Sequence, residues 1–320
     1  MILFTQNLVK FTLFSLFFYA VSLIAWGLLS PQALKPNLNY RKGEGAFMYS
    51  RLQEAKEIEN VDILFLGSSH AYRGFDNRMY SSKGYKTFNL GSSAQAHSQT
   101  LVLIKRYLER LNPKVVIYEV YPETFSNEGV ESSLDIISND NQDLSSLEMT
   151  LKINNIKTYN TFLFALGVEY IGLYDDFKES IVKKNDSYVS GGFVEKKISH
   201  FDPKKFEPME LTFSPAQIDA FTEVMALLKS KNIEVILVFA PISSVQYRRY
   251  TNLQYFDSLM LSYSSYYNFN EVLELEDSLH FYDSHHLNQL GVEVFNEGVL
   301  GVLTDDYEQS MSPQPQTTQP

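Results

Sequence analysis

Two segments of this 320-residue chain hold the residue types that nucleophilic acyl chemistry needs. Gly67-Ser68-Ser69-His70 follows an apolar run, and Asp283-Ser284-His285-His286-Leu287-Asn288-Gln289-Leu290-Gly291 lies far downstream. A serine hydroxyl is a weak nucleophile until a base, usually histidine, takes its proton and a carboxylate orients that base. An Asp three residues before a His, in one turn leading into a helix, supplies both partners from a single loop. Ser69, His286 and Asp283 are therefore the candidate nucleophile, base and orienting acid. His285 is a near-twin of His286, and Ser93 has the same local look as Ser69. His70 and Arg73, beside the serine, are candidate substrate contacts, or else belong to a solvated turn. His280, Asp283, His285 and His286 form an alternative, a metal cluster drawn from one segment.

These residues need elements that bring them together. Val61 to Leu66 (VDILFL) reads as a buried strand opening into a tight turn, and Thr87 to Leu90 ends the same way at Gly91-Ser92-Ser93. Leu101, Ile104, Tyr107, Leu108 and Leu111 recur at helical spacing. Lys114 to Val120 is a third strand, stopped by Pro122, and Ile233 to Phe239 a fourth. Ser214-Pro215-Ala216-Gln217 predicts a helix start with a capping box. A fifth strand is expected at Glu271 to Leu275 or Leu279 to Tyr282, and a last helix at Gln289 to Leu303. Continuously apolar strands alternating with helices predict an α/β, flavodoxin-like three-layer sandwich with a parallel sheet. Its sites would lie at the carboxyl ends of the strands. Residues 126–209 break the rhythm and read as an insertion, with a lid as one form it could take.

Phe11 to Leu29 is nineteen residues without a charge, enough at about 1.5 Å per residue to cross a hydrocarbon core of ~30 Å. Ser30-Pro31-Gln32-Ala33 is a poor signal-peptidase site, so an uncleaved single-span anchor is expected over a cleaved leader. Lys10 precedes the span and Lys35, Arg41 and Lys42 follow it, so charge does not set the orientation. The expected organisation is an anchor at 1–34, an α/β body at 35–306 and a disordered tail at 307–320. With 38 acidic and 27 basic residues the net charge is −11, which argues against a nucleic-acid partner. There is no cysteine, which removes disulfides, thiol catalysis and Cys-based metal sites. No cofactor is expected.

In this order the segments resemble the SGNH (GDSL-like) hydrolase superfamily, over roughly 60–120 and 230–305. Gly67-Ser68-Ser69 matches its Gly-Asp-Ser block, Gly91 its second-block glycine, and Asp283 with His286 its terminal Asp-x-x-His. The resemblance implies catalysis by Ser69, His286 and Asp283, with an oxyanion hole made by the N–H groups of Ser69 and Gly91. One block departs: Glu119-Val120-Tyr121-Pro122 stands where the family has Gly-x-Asn-Asp, so the asparagine of the hole is missing. An anchored domain of this pattern is similar to the envelope proteins that help O-acylate exported polymers, such as those of alginate acetylation and teichoic-acid D-alanylation. That implies a single-pass cell-membrane protein with an extracytoplasmic domain, a carbohydrate or envelope polymer as substrate, and a multi-span acyltransferase as partner. The alternative is a non-catalytic anchored scaffold or polymer-binding subunit.

Overall fold

The computed structural model describes residues 2–311, with side chains to 304. Its core is a five-stranded parallel sheet of order β2-β1-β3-β7-β8: β1 Ile63–Leu66, β2 Thr87–Asn89, β3 Val115–Glu119, β7 Glu234–Phe239 and β8 Ser265–Asn268. Every neighbouring pair is parallel, with Ile63 opposite Thr87 and Val115, and Glu119 opposite Val238. Both faces are covered, which is why the strands carry no polar alternation. Leu64, Leu66, Val116, Tyr118, Leu237 and Phe239 pack on one side against the helices His97–Leu111 and Pro215–Ser230. Ile63, Phe65, Ile117, Ile236 and Val238 pack on the other, against Phe75, Val292, Phe295 and Val299. This is the predicted three-layer sandwich.

Three expectations need correction. The fifth strand is Ser265–Asn268, not 271–275 or 279–282, which hold the short helices Phe269–Val272 and Asp277–His280. An edge strand needs only one covered side, and its Ser-Tyr-Tyr-Asn sequence gives no apolar run; Tyr266 turns its hydroxyl onto Asp257, 2.6 Å away. The capping box at Ser214 does not form. Pro215 does open that helix, but Ser214 makes no side-chain cap bond, and the Gln217 amide reaches out to the Asn127 carbonyl at 2.9 Å instead. The last helix runs Gln289–Met311, past the expected start of the tail; residues 312–320 lie outside those described.

The insertion is a structured block. Helices Val130–Asn139, Leu144–Ile153 and Ile156–Tyr170 precede an antiparallel sheet of β4 Val182–Lys183, β5 Asp186–Val189 and β6 Phe193–Lys196. Its β5–β6 turn is fastened to the main sheet, not hinged over it as a lid. Asn89 N–H donates to the Gly191 carbonyl at 2.8 Å, and buried Arg51 donates twice to the Gly192 carbonyl, at 3.1 and 3.0 Å.

One helix among the described residues, Ile2–Leu29, is long and apolar enough to cross a membrane, and it starts nine residues before the predicted span. Its C-terminal third rests on the Ile156–Tyr170 helix. Tyr19 Oη donates to Asn160 Oδ1 at 2.5 Å, and Gly27 lies so close to Phe164 that a Cβ there would be 2.3 Å from the ring.

Candidate active site

β1 is followed by Gly67, whose φ of +136° suits glycine alone; a Cβ there would lie 2.6 Å from Glu119 Oε2 and 2.9 Å from the Glu119 carbonyl. This tight reversal delivers Ser68 as N-cap and Ser69 as first residue of the helix Ser69–Gly74. The Asp283 loop arrives from the other end of the sequence. Phe281 and Leu287 bridge antiparallel, both buried, and so fix its rotation.

The two segments meet as a hydrogen-bonded chain. Ser69 Oγ lies 2.8 Å from His286 Nε2, and His286 Nδ1 lies 3.0 Å from each carboxylate oxygen of Asp283. Asp283 Oδ1 also accepts the backbone N–H groups of His285 and His286, both at 2.8 Å. Burial alone would raise the Asp283 pKa, but these hydrogen bonds and the neighbouring imidazole outweigh it and take it down to about 2. An ionised Asp283 holds the proton on Nδ1 and leaves the Nε2 lone pair for Ser69. The His286 ring is clamped between Tyr282, at 5.4 Å and 5° between planes, and His70, at 5.0 Å and 22°.

A second buried chain lies beneath the serine. Glu119 Oε2 accepts from the Ser68 N–H and hydroxyl, both at 2.8 Å, and Ser68 Oγ is 3.0 Å from His70 Nδ1. Burial pushes the Glu119 pKa up to about 7 against the Ser68 hydrogen bonds, and burial likewise holds His70 neutral, well below its ordinary value. Glu119 thus occupies the block where the sequence departs from the resembled family, and ties β3 to the serine turn.

No family model matches the chain, and no curated protein matches it. Several solved structures are similar to it, among them the following two. A Bacteroides fragilis protein with a provisional acylhydrolase designation shares 12% identity over 80% of this chain and 94% of its own, with a TM-score of 0.42. A GDSL-like lipase from Bacteroides thetaiotaomicron shares 12% identity over 82% and 98%, with a TM-score of 0.44.

A cavity of about 380 Å³ opens on the serine, lined by Ser69, His70, Ala94, Glu123, Asn127 and both His285 and His286, among others. A larger one, about 640 Å³, shares Ser126 and Asn127 with it but has no histidine in its wall. Gly91 does not line the serine cavity. Its N–H donates to Asn89 Oδ1 at 2.9 Å, which corrects its expected place in the oxyanion hole. Ala94, three residues on, does line it, in a left-handed conformation at φ +48°. Among the described residues neither the Ala94 nor the Ser69 N–H meets a protein acceptor. The missed signal is one of register: the loop after β2 curls for three residues before it faces the serine.

Arg73 does not line the serine cavity, whereas His70 forms part of its wall as a nearly buried ring. His70 is buried between His286 and Tyr121, acting on the site through them. Arg73 forms a two-pronged ion pair with Asp186, at 3.2 and 3.0 Å, fastening the serine helix to β5. Ser93 meets Tyr72 Oη at 3.3 Å and lines a different cavity, beside Asp135. The four-residue metal cluster does not assemble: His280 Nδ1 turns away to accept the Glu276 N–H at 2.9 Å, and no group of three such side chains among the described residues is placed to hold an ion. Asn127 was not singled out by sequence. It lines the cavity, with its amide donating to the Ala94 carbonyl at 3.2 Å.

Proposed function

We propose that this chain is a membrane-anchored serine acyl-ester hydrolase or O-acyltransferase of SGNH type. The observation that carries the reading is the unbroken line from Ser69 Oγ through His286 to Asp283, assembled from residues 217 apart in sequence and open to a cavity. Ser69 attacks the ester carbonyl while His286 Nε2 takes its proton. The Ser69 and Ala94 N–H groups receive the negative charge that develops on the carbonyl oxygen. His286 then returns the proton to the departing alkoxide. Water or a second alcohol releases the acyl group by the same steps in reverse.

The anchor helix supports a single-pass location in the cell membrane, and the resemblance supports an extracytoplasmic body acting on an exported polysaccharide or envelope polymer beside a multi-span acyltransferase. The scaffold alternative drew on the missing asparagine. It is disfavoured by the hydrogen-bonded line Ser69–His286–Asp283 and by the Ser69 and Ala94 N–H groups, which no protein acceptor among the described residues occupies. The test is turnover of a p-nitrophenyl ester: Ser69→Ala should cut it by about 10⁴-fold or more, because the three residues act as a unit. Equal rates for mutant and wild type would remove the mechanism.

A further inference from the structure

His285 lines the same cavity as Ser69, yet it belongs to a different hydrogen-bonded line. Its Nδ1 is 3.0 Å from Tyr121 Oη, which is 2.7 Å from Tyr250 Oη, and Tyr250 in turn donates to Glu123 Oε1 at 2.6 Å. Gln246 braces the line, donating to Tyr250 Oη at 2.9 Å and to Glu123 Oε1 at 3.3 Å. Because Tyr250 gives its proton to the carboxylate, its oxygen is left to accept from Tyr121, and Tyr121 to accept from the His285 Nδ1–H. That head-to-tail order presents a lone pair at Nε2. Burial, and His286 beside it, lower the His285 pKa and keep the ring neutral. Among the described residues Nε2 meets no protein donor. The two imidazoles stand 6.2 Å apart between centroids, one backed by Asp283 and the other by Glu123 through two tyrosines. Around them the wall is polar, with Thr124, Ser126 and Asn127.

We propose that His285 is the binding group for a second hydroxyl on the alcohol half of the substrate, so that the site is built for vicinal diols and polyols. This rests on the serine reading above. In acyl transfer the attacking hydroxyl forms the new ester bond with the acyl carbon as the bond to Ser69 Oγ breaks. Its proton goes to His286 Nε2 and from there to Ser69 Oγ. The neighbouring hydroxyl donates to His285 Nε2 throughout and is not consumed. Tyr121, Tyr250 and Glu123 are positioning residues that set the tautomer of His285.

The test uses the full chain in detergent, acylated from p-nitrophenyl acetate, with glycerol or 1-propanol added at equal concentration. Acetylglycerol, propyl acetate and free acetate are measured for each variant, so the preference is internal to each protein. The wild type should favour glycerol over 1-propanol, and His285→Ala should lower that preference by about tenfold. Tyr121→Phe, which removes the hydroxyl that accepts from the His285 Nδ1–H, should lower it in the same direction. A wild type without a glycerol preference, or variants that retain it, would overturn the proposal alone. An acetyl group absent from Ser69 by intact mass would instead bring down the serine reading, and the proposal with it.

Discussion

His285 and His286 are adjacent in sequence and opposite in role because a single buried side chain, Leu287, fixes the turn. One ring meets Ser69 and Asp283, the other meets Tyr121. His286→Ala should therefore abolish turnover of an activated ester, while His285→Ala should retain at least about a tenth, a loss under ~1.4 kcal/mol of transition-state stabilisation. The reverse ranking in equally folded mutants would contradict the assignment. Glu119 yields a pH prediction. Its carboxyl is raised from 4.5 to about 7, so its contribution to stability is full below pH 4.5 and is lost as pH rises through about 7. That loss amounts to about 3 kcal/mol. Glu119→Gln should thus narrow the gap in melting temperature between pH 5 and pH 8.5, with the part due to buried Asp135 remaining. Parallel pH profiles for mutant and wild type would show that Glu119 does not titrate in this range. That Ser69, His286 and Asp283 should meet was legible in the sequence because Asp-x-x-His and Gly-Ser-Ser carry a local spacing. Glu119, Tyr121 and Ala94 were not, because a buried carboxylate, a buried phenol and a backbone N–H carry no spacing signature.

At the level of elements, the apolar runs of β1, β3 and β7 announced a parallel sheet, and right-handed connections a flavodoxin-like sandwich; the order β2-β1-β3-β7-β8 is read from the structure. β8 was illegible for the same physical reason: an edge strand covered on one side can be built of Ser, Tyr and Asn. Of the insertion's helices the sequence showed the one around Thr161 to Phe177, observed at Ile156–Tyr170; Val130–Asn139 and Leu144–Ile153 were hidden because they share their packing with the helices Met48–Glu57 and His97–Leu111. The turn after β1 is where local geometry most directly sets function. Gly67→Ala should destabilise the fold by about 2 kcal/mol or more, since the left-handed φ and the clash with Glu119 act together. Gly84 is the control, with φ +88° and nothing within 4 Å of an added Cβ. Equal melting-temperature losses at the two positions would mean that the contact with Glu119 does not matter.

In the whole molecule the apolar N-terminal helix is joined to the body by contact as well as by sequence. From Ile2 to Tyr19 its side chains are exposed, while Leu23, Ile24 and Gly27 face the Ile156–Tyr170 helix, and Lys35 Nζ donates to the Gly27 carbonyl at 2.9 Å. Hydropathy showed the helix but not this seam, since an apolar residue against lipid and one against protein read alike. The seam places the insertion between the N-terminal helix and the sheet, and Arg73 with Asp186 carries the connection on to the helix that bears Ser69.

The central claim is that Ser69 is an activated hydroxyl, and a fluorophosphonate probe followed by peptide mapping tests it most directly. The triad geometry predicts a single adduct on Ser69 in the folded wild type, lost in His286→Ala and unaffected by Ser93→Ala. A folded wild-type protein that stays unlabelled, or carries its adduct on another serine, would contradict it.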